Sequence, residues 1–217
     1  LAVGQALLLS KGASASERRT VSVNGYAYPY ITPYVLEQTL PFLSELSVFS
    51  YGFTTQGDLV PPPVDDSRMI AAAWDFGASP ILTLTPFGPD GKFNDYLISQ
   101  IVNDMDAQNN LIDQLMATVL EKGFQGVDID FEFIAAEDKV PFATFVSNVR
   151  QAINTLGYPV SVALAPKISD TQTGSVYSGM DFRLLGEAAD FCLLMTYEWG
   201  YTYGPPMAVA PLNKVRE

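Results

Sequence analysis

Histidine is absent from the 217 residues, and its absence excludes a good deal of chemistry. Without an imidazole there is no Ser-His-Asp triad, no Cys-His pair and none of the usual zinc sites. Any acid–base work falls to carboxylates, tyrosines or lysines. Cysteine is nearly absent as well. Cys192 stands alone in an apolar run, has no partner within the chain for a disulfide, and reads as a buried, inert core thiol. One thiol does not fix a redox compartment. Positive charge is scarce: 12 Lys and Arg stand against 24 Asp and Glu, a formal charge of -12. That balance argues against a nucleic-acid partner, whose phosphates need Lys and Arg. It argues equally against a membrane surface of anionic lipid. A strongly acidic surface also simply keeps a protein in solution. No apolar run is long enough to span a bilayer. Residues 1–9 are apolar but lack the basic region and cleavage site of a signal peptide, and an initiator Met. A start inside a longer protein is therefore expected.

Hydrophobic residues make up 48% of the chain and aromatics 12%, enough for one sizeable domain with a large core. Residues 1–10 read as a strand or strand remnant, and the polar, Ser/Ala-rich residues 11–20 as a linker. Strands are then expected at 21–26, 45–51, 80–85, 126–133, 160–166 and 191–197. Helices are expected at 34–43, 66–76, 94–103, 107–122, 138–156 and 181–188. Thr32-Pro33 forms a capped helix start, and Gly77, Gly123 and Gly157 stand where helices stop. Met69, Ile70, Ala73 and Trp74 fall on one side of their helix, so Trp74 reads as core. Pro61-Pro62-Pro63 reads as a rigid connector and Lys167 as a solvated loop charge.

Six strand–helix repeats imply a parallel sheet with right-handed crossovers. No Gly-x-Gly-x-x-Gly follows the first strand, so the dinucleotide-binding fold lacks its fingerprint. The commonest remaining solution is an α/β fold of the TIM type, a (β/α)8 barrel, here truncated after about six β/α units. An open doubly wound sheet is the structural alternative.

The stretch Gly126-Val127-Asp128-Ile129-Asp130-Phe131-Glu132-Phe133 is where chemistry concentrates. A period of two puts Asp128, Asp130 and Glu132 on one face and Val127, Ile129, Phe131 and Phe133 on the other. An ordinary half-exposed strand reads the same way, with its acids in water. Like charges at that spacing repel, however, which favours a confined site in which the carboxylates share protons. In a barrel the outer end of the strand is the reactive end, so Glu132 is placed to act as a general acid. Paired acids of this kind suit the cleavage of glycosidic bonds. Three carboxylates also suit Mg2+ or Ca2+, but the apolar spacers favour a sugar.

The same stretch resembles the Asp-x-x-Asp-x-Asp-x-Glu signature of glycoside hydrolase family 18. Leu194-Met195-Thr196-Tyr197-Glu198-Trp199-Gly200 is similar to the Met-x-Tyr-Asp type motif at the end of that family's sixth strand. The run from Met195 to Pro211, with Ala163-Leu164-Ala165-Pro166-Lys167 before it, resembles the bacterial branch that includes spore cortex-lytic N-acetylglucosaminidases. Gln125 stands where the signature often begins with Asp, and the family's frequent Ser-x-Gly-Gly is missing from the third strand.

The resemblance implies an incomplete catalytic barrel over residues 21–217, with residues 1–10 as the tail of a LysM-like module. It implies a retaining, substrate-assisted glycosidase acting on β-1,4-linked N-acetylglucosamine, in peptidoglycan or spore cortex. Chitin as substrate, a non-catalytic glycan-binding (lectin-like) role, or an inactive fragment of such an enzyme, is the alternative. Glu132 is the expected acid, Asp130 orients the substrate's acetamido group, Asp128 backs it, and Tyr197 donates to the acetamido oxygen. Glu198, Trp199, Met195, Tyr26 and Tyr51 are expected to touch substrate, with Tyr28 a further groove candidate. No metal or cofactor is required. The expected partner is a polysaccharide, the location extracytoplasmic, at the cell wall or spore. Self-association through open barrel edges is a further expectation.

Overall fold

The structure, a computed structural model, describes residues 20–169, 171–200 and 202–217. The expectations for residues 1–10, and for all of the linker except residue 20, lie outside the described residues.

In chain order, β1 (Asn24–Ala27) leads through Thr32 into α1 (Pro33–Thr39), continued by a 3-10 turn at Leu40–Phe42. The Thr32 side chain accepts from the Val35 amide, and Pro33 supplies a pre-set first turn. β2 (Glu45–Phe53) follows, then a short β3 (Leu59–Val60) that folds back antiparallel on the end of β2. Next come α2 (Ser67–Phe76), β4 (Ser79–Leu84), α3 (Asp95–Asn103) and α4 (Met105–Lys122). Asp104 caps α4 by accepting from the Asp106 and Ala107 amides. Gly123 ends α4 at φ 79°, a left-handed conformation that glycine adopts without steric cost. β5 (Val127–Ile129), α5 (Lys139–Asn154), β6 (Val160–Leu164), α6 (Phe182–Ala188), β7 (Phe191–Leu194) and α7 (Leu212–Arg216) complete the chain.

The sheet runs β1-β2-β4-β5-β6-β7, every neighbouring pair parallel, with β3 off the path. This is a six-stranded parallel half-barrel flanked by helices, as the alternating pattern implies. The expected fourth strand is β5, because the short β3 precedes it.

Apolar side chains pack between sheet and helices. Phe131 lies at their centre, stacked with Phe53 (5.4 Å between ring centroids), Phe142 (5.7 Å) and Phe145 (5.6 Å). Gly126 opens β5 where a Cβ would come 2.8 Å from Ile81 Cδ1 and 3.2 Å from the Pro159 carbonyl oxygen. A side chain there would require the end of Ile81 to shift and the Pro159 backbone to give by a few tenths of an ångström.

Tyr51, Trp74 and Cys192 depart from expectation. Tyr51 shares the face of Leu84 and Ile129, its register neighbours across the sheet, which is the helix side. The cause is a bulge. Val48 pairs with Leu82 but Tyr51 pairs with Leu84, so β2 carries one extra residue, which turns Tyr51 over. Its hydroxyl donates to Asp66 Oδ2 at 2.6 Å, Lys122 pairs with Oδ1 of the same buried carboxylate, and the ring packs edge-on against Phe124. Trp74 is 50% exposed, not core, and its indole N–H donates to the Gly123 carbonyl oxygen at 2.9 Å, tying α2 to the end of α4. Cys192 is exposed, because β7 has a hydrogen-bonded neighbour, β6, on one side only among the described residues.

Replacing Phe131 with Ala is expected to cost about 3–5 kcal/mol, the usual result of truncating a buried aromatic. Urea unfolding checks this as a lowered midpoint at unchanged slope.

Candidate active site

β5 places Val127 and Ile129 among the helices and turns Asp128 into the barrel interior, where it is fully buried. Strand assignment stops at Ile129, yet the backbone stays in line: the Asp130 amide donates to the Leu84 carbonyl oxygen at 2.9 Å. Phe131 then returns to the core and Glu132 comes out half-buried. At Phe133 the chain turns through φ 49°, which ends the alternation. The three acids thus rise from the sheet interior towards its C-terminal edge, as the period of two requires.

Asp128 accepts two hydroxyl hydrogen bonds, from Tyr26 to Oδ2 at 2.8 Å and from Ser161 to Oδ1 at 2.5 Å. Burial pushes its carboxyl above the ordinary range, and the two donors pull it back part of the way. Asp130 is pushed up to about 7, by burial first and then by the charges of Asp128 and Glu132. Its Oδ1 is buried and has no hydrogen-bond partner. Glu132 is raised by burial, then by Glu198 and Asp95. Burial also raises Tyr197, to about 12, with Asp130 and Glu198 the next causes. Tyr26 is raised by burial and by the Asp128 carboxylate it donates to.

The expected residues therefore divide. Asp128, Asp130, Glu132, Tyr26, Tyr197 and Glu198 form one electrostatic neighbourhood. Glu198 is held at φ 60°, a left-handed turn just past β7. Met195 continues β7 by donating its amide to the Leu164 carbonyl oxygen at 2.9 Å and is half-buried. Trp199 is 38% exposed, with the Lys214 ammonium 5.7 Å from its ring centroid. Tyr28 stacks on Tyr30 at 4.9 Å and is partly exposed. Tyr51 lies on the far side of the sheet. Lys167 is not a solvated charge: its ammonium donates to the Met180 carbonyl oxygen and lies over the Phe182 ring.

Two residues escape the sequence reading. Ser161 is a lone hydroxyl at an alternating position in apolar β6, a signal that could have marked it as facing the acids. Asp95 acts on Glu132 from the first turn of α3, and nothing in the local sequence announces that. Among the described residues, no group of three or more Asp, Glu or Cys side chains is arranged to hold a metal ion.

Parallel strands, each leading to a helix, with interior acids climbing to the C-terminal edge, define the (β/α)-barrel class. The chain belongs to family 18 of the glycosyl hydrolases, whose sequence model matches residues 87–214. It is 35% identical over 177 residues to the cortical fragment-lytic enzyme of Bacillus subtilis (strain 168), covering 82% of this chain and 40% of that enzyme. The crystal structure of the Bacillus cereus spore cortex-lytic enzyme SleL superposes with a TM-score of 0.85 at 32% identity, covering 100% of this chain and 50% of the other. SleL of Bacillus megaterium QM B1551 gives 0.81 at 30% identity, covering 90% and 45%. The chain thus spans about half the length of these relatives or less.

Asp130 makes stability depend on pH with a definite sign. Its carboxyl titrates near 3.8 when unperturbed and at about 7 when folded. Between those values the folded chain keeps a proton that the unfolded chain releases, so this group's contribution to stability falls as pH rises. Asp130→Asn is expected to raise Tm at pH 8 and to change it far less at pH 4, as read by thermal unfolding at both pH values. An equal change at both would show that Asp130 ionises normally.

Proposed function

We propose that this chain carries the acid–base centre of a retaining glycosidase acting on β-1,4-linked N-acetylglucosamine in peptidoglycan, with spore cortex as the favoured source. The observation that carries the reading is the graded series Asp128, Asp130, Glu132. One acid is fully buried and doubly hydrogen-bonded. The next is pushed up to about 7 with an unpartnered oxygen, and the third stands half-buried at the rim. Family membership supports the reaction class, and the names of the relatives support the substrate.

In this reading Glu132 starts protonated, which its raised pKa favours. Its proton passes to the leaving-group oxygen as the C1–O bond breaks. The substrate's own acetamido oxygen forms the new bond to C1, so the protein supplies no nucleophile. Asp130 orients the acetamido group and stabilises the cationic ring that results. Asp128, held by Tyr26 and Ser161, keeps Asp130 in place and its proton affinity high. Tyr197, raised to about 12 and so a neutral phenol at ordinary pH, donates to the acetamido oxygen. Water then attacks C1 as the bond from C1 to the acetamido oxygen breaks and the acetamido group is restored; the water gives its proton to the Glu132 carboxylate, and the sugar leaves with its configuration retained. Glu198, Met195 and Trp199 border the same end of β7 and contact the sugar. The names of the relatives support an extracytoplasmic location, at wall or spore.

Glu132→Gln is expected to lower hydrolysis of cortex-type peptidoglycan by about 10²–10⁴-fold, the usual contribution of a general acid, at an unchanged circular-dichroism spectrum. Full activity in that variant would remove Glu132 from the role. Cleavage of N-acetylglucosamine oligomers without cleavage of peptidoglycan would move the substrate to chitin. Binding without turnover by the parent chain would make it a glycan-binding relative.

A further inference from the structure

One residue past Glu132 the chain borders a cavity of about 360 Å³. Its walls are Asp95 from α3, the backbone stretch 133–136 that follows Glu132, and Gly174, Ser175 and Ser178 from the loop before α6. The cavity is built rather than incidental. A Cβ on Gly179 would lie 2.2 Å from the Ile134 carbonyl oxygen, so the two loops touch through their backbones. Ser178 Oγ accepts from the Gly174 amide at 3.1 Å, which closes the second loop on itself. On the opposite wall, Ser99 and Asn103 of α3 both donate to the buried Asp138 carboxylate, Asn103 at 2.8 Å. That clamp sets α3, and hence Asp95, against the 133–136 stretch.

The chemistry of the lining is one-sided. It offers a carboxylate and two serine hydroxyls, and no Lys or Arg lines it among the described residues. Asp95 stands in the first turn of α3, where the helix dipole favours a negative charge, while partial burial raises its carboxyl above the ordinary range, so a cation placed beside it would be needed to hold it ionised. Glu132 is one residue away from the wall at Phe133. A group entering here meets the Asp95 carboxyl and two hydroxyls with no cation beside them, which suits a donor that carries positive charge.

We propose that this cavity is an accessory subsite for a primary ammonium group carried by the glycan, with Asp95 as its counter-ion and Ser178 as a hydrogen-bonding neighbour. The inference rests on the glycan-cleaving reading for what brings the ammonium there. Two sources share the chemistry: a side-chain amine on a peptide attached to the sugar, and a glucosamine that has lost its acetyl group.

The test measures binding by calorimetry in a Glu132→Gln background, so that no probe is consumed. One probe pair is an N-acetylglucosamine–muramic acid disaccharide bearing a short peptide with a free side-chain amine, and the same molecule with that amine acetylated. The other is a partly deacetylated and a fully acetylated N-acetylglucosamine oligomer. In one pair the amine form is expected to bind about fivefold more tightly at low salt, as a partly exposed ion pair allows, and the preference should fade with added salt. The pair that shows it identifies the source. Asp95→Asn should abolish the preference while leaving the acetylated form's affinity unchanged, and Asp95→Glu should keep it. Equal affinities within both pairs, or an Asp95→Asn variant that weakens both forms alike, would overturn the inference while leaving the hydrolase reading intact if the parent chain cuts glycan. Failure of every probe to bind would overturn the subsite alone if the parent chain still cuts glycan, and both readings if it does not.

Discussion

The fully buried carboxyl of Asp128 is the constraint from which the rest of the site follows. Taking a carboxylate out of water is costly unless its lone pairs are satisfied. Here the satisfaction comes from hydroxyls on two other strands, Tyr26 on β1 and Ser161 on β6. β6 is the immediate neighbour of β5, but β1 lies two strands beyond β4, separated from β5 by β2 and β4. For Tyr26 to reach Asp128 the sheet must curl, so that β1 leans over the interior face. The buried acid and the barrel curvature therefore depend on one another. Loss of either hydroxyl leaves an acceptor unpaired in a place that water does not reach.

The next acid inherits this arrangement. Asp130 lacks a donor for Oδ1 and has charged neighbours above and below it, so it holds its proton to about neutral pH. Protons in such a set belong to the set rather than to one residue. The Asp128 carboxyl, the Asp130 carboxyl and the half-exposed Glu132 differ mainly in depth, and depth governs how much each is desolvated. Burial is the first cause of the rise in all three carboxyls. A sequence devoid of histidine achieves titration near neutrality by stacking carboxyls at successive depths.

Much of this was legible in the residues. The period-two pattern over 126–133 placed three acids on one face, and the alternation of strand and helix gave the parallel sheet. What escaped was long-range or depended on a local irregularity. Tyr51 obeys the alternation of β2 up to Val48 and then violates it, because a single extra residue reverses the face. No pattern within β2 announces that. Ser161 acquires its meaning only from Asp128, 33 positions earlier in sequence. Trp74 sits on the apolar side of its helix by period, yet its indole N–H needs an acceptor, and the carbonyl at the end of α4 draws the ring to the surface. Cys192 was read from the apolarity of its neighbours. Apolar sequence shows what a strand would bury, whereas burial itself depends on what packs alongside.

Glu132 raises a separate question, since an acid at a rim needs an orientation as well as a pKa. Its chain neighbours on the two sides supply it. Phe131 is locked into a four-ring stack on the helix side, so the Cα of Glu132 can shift little along the strand direction. Phe133 adopts a left-handed turn that costs a non-glycine residue energy and persists only where the surroundings enforce it. The enforcement is visible in the residues that follow. Ile134 is buried under Gly179, whose missing side chain lets the two backbones touch, and Asp138 is tied to α3 by Ser99 and Asn103. The acid is therefore held between a packed aromatic core on one side and a strained, clamped turn on the other. Backbone fixed on both flanks sets where Glu132 can point, while its half-buried carboxyl is left free to exchange a proton.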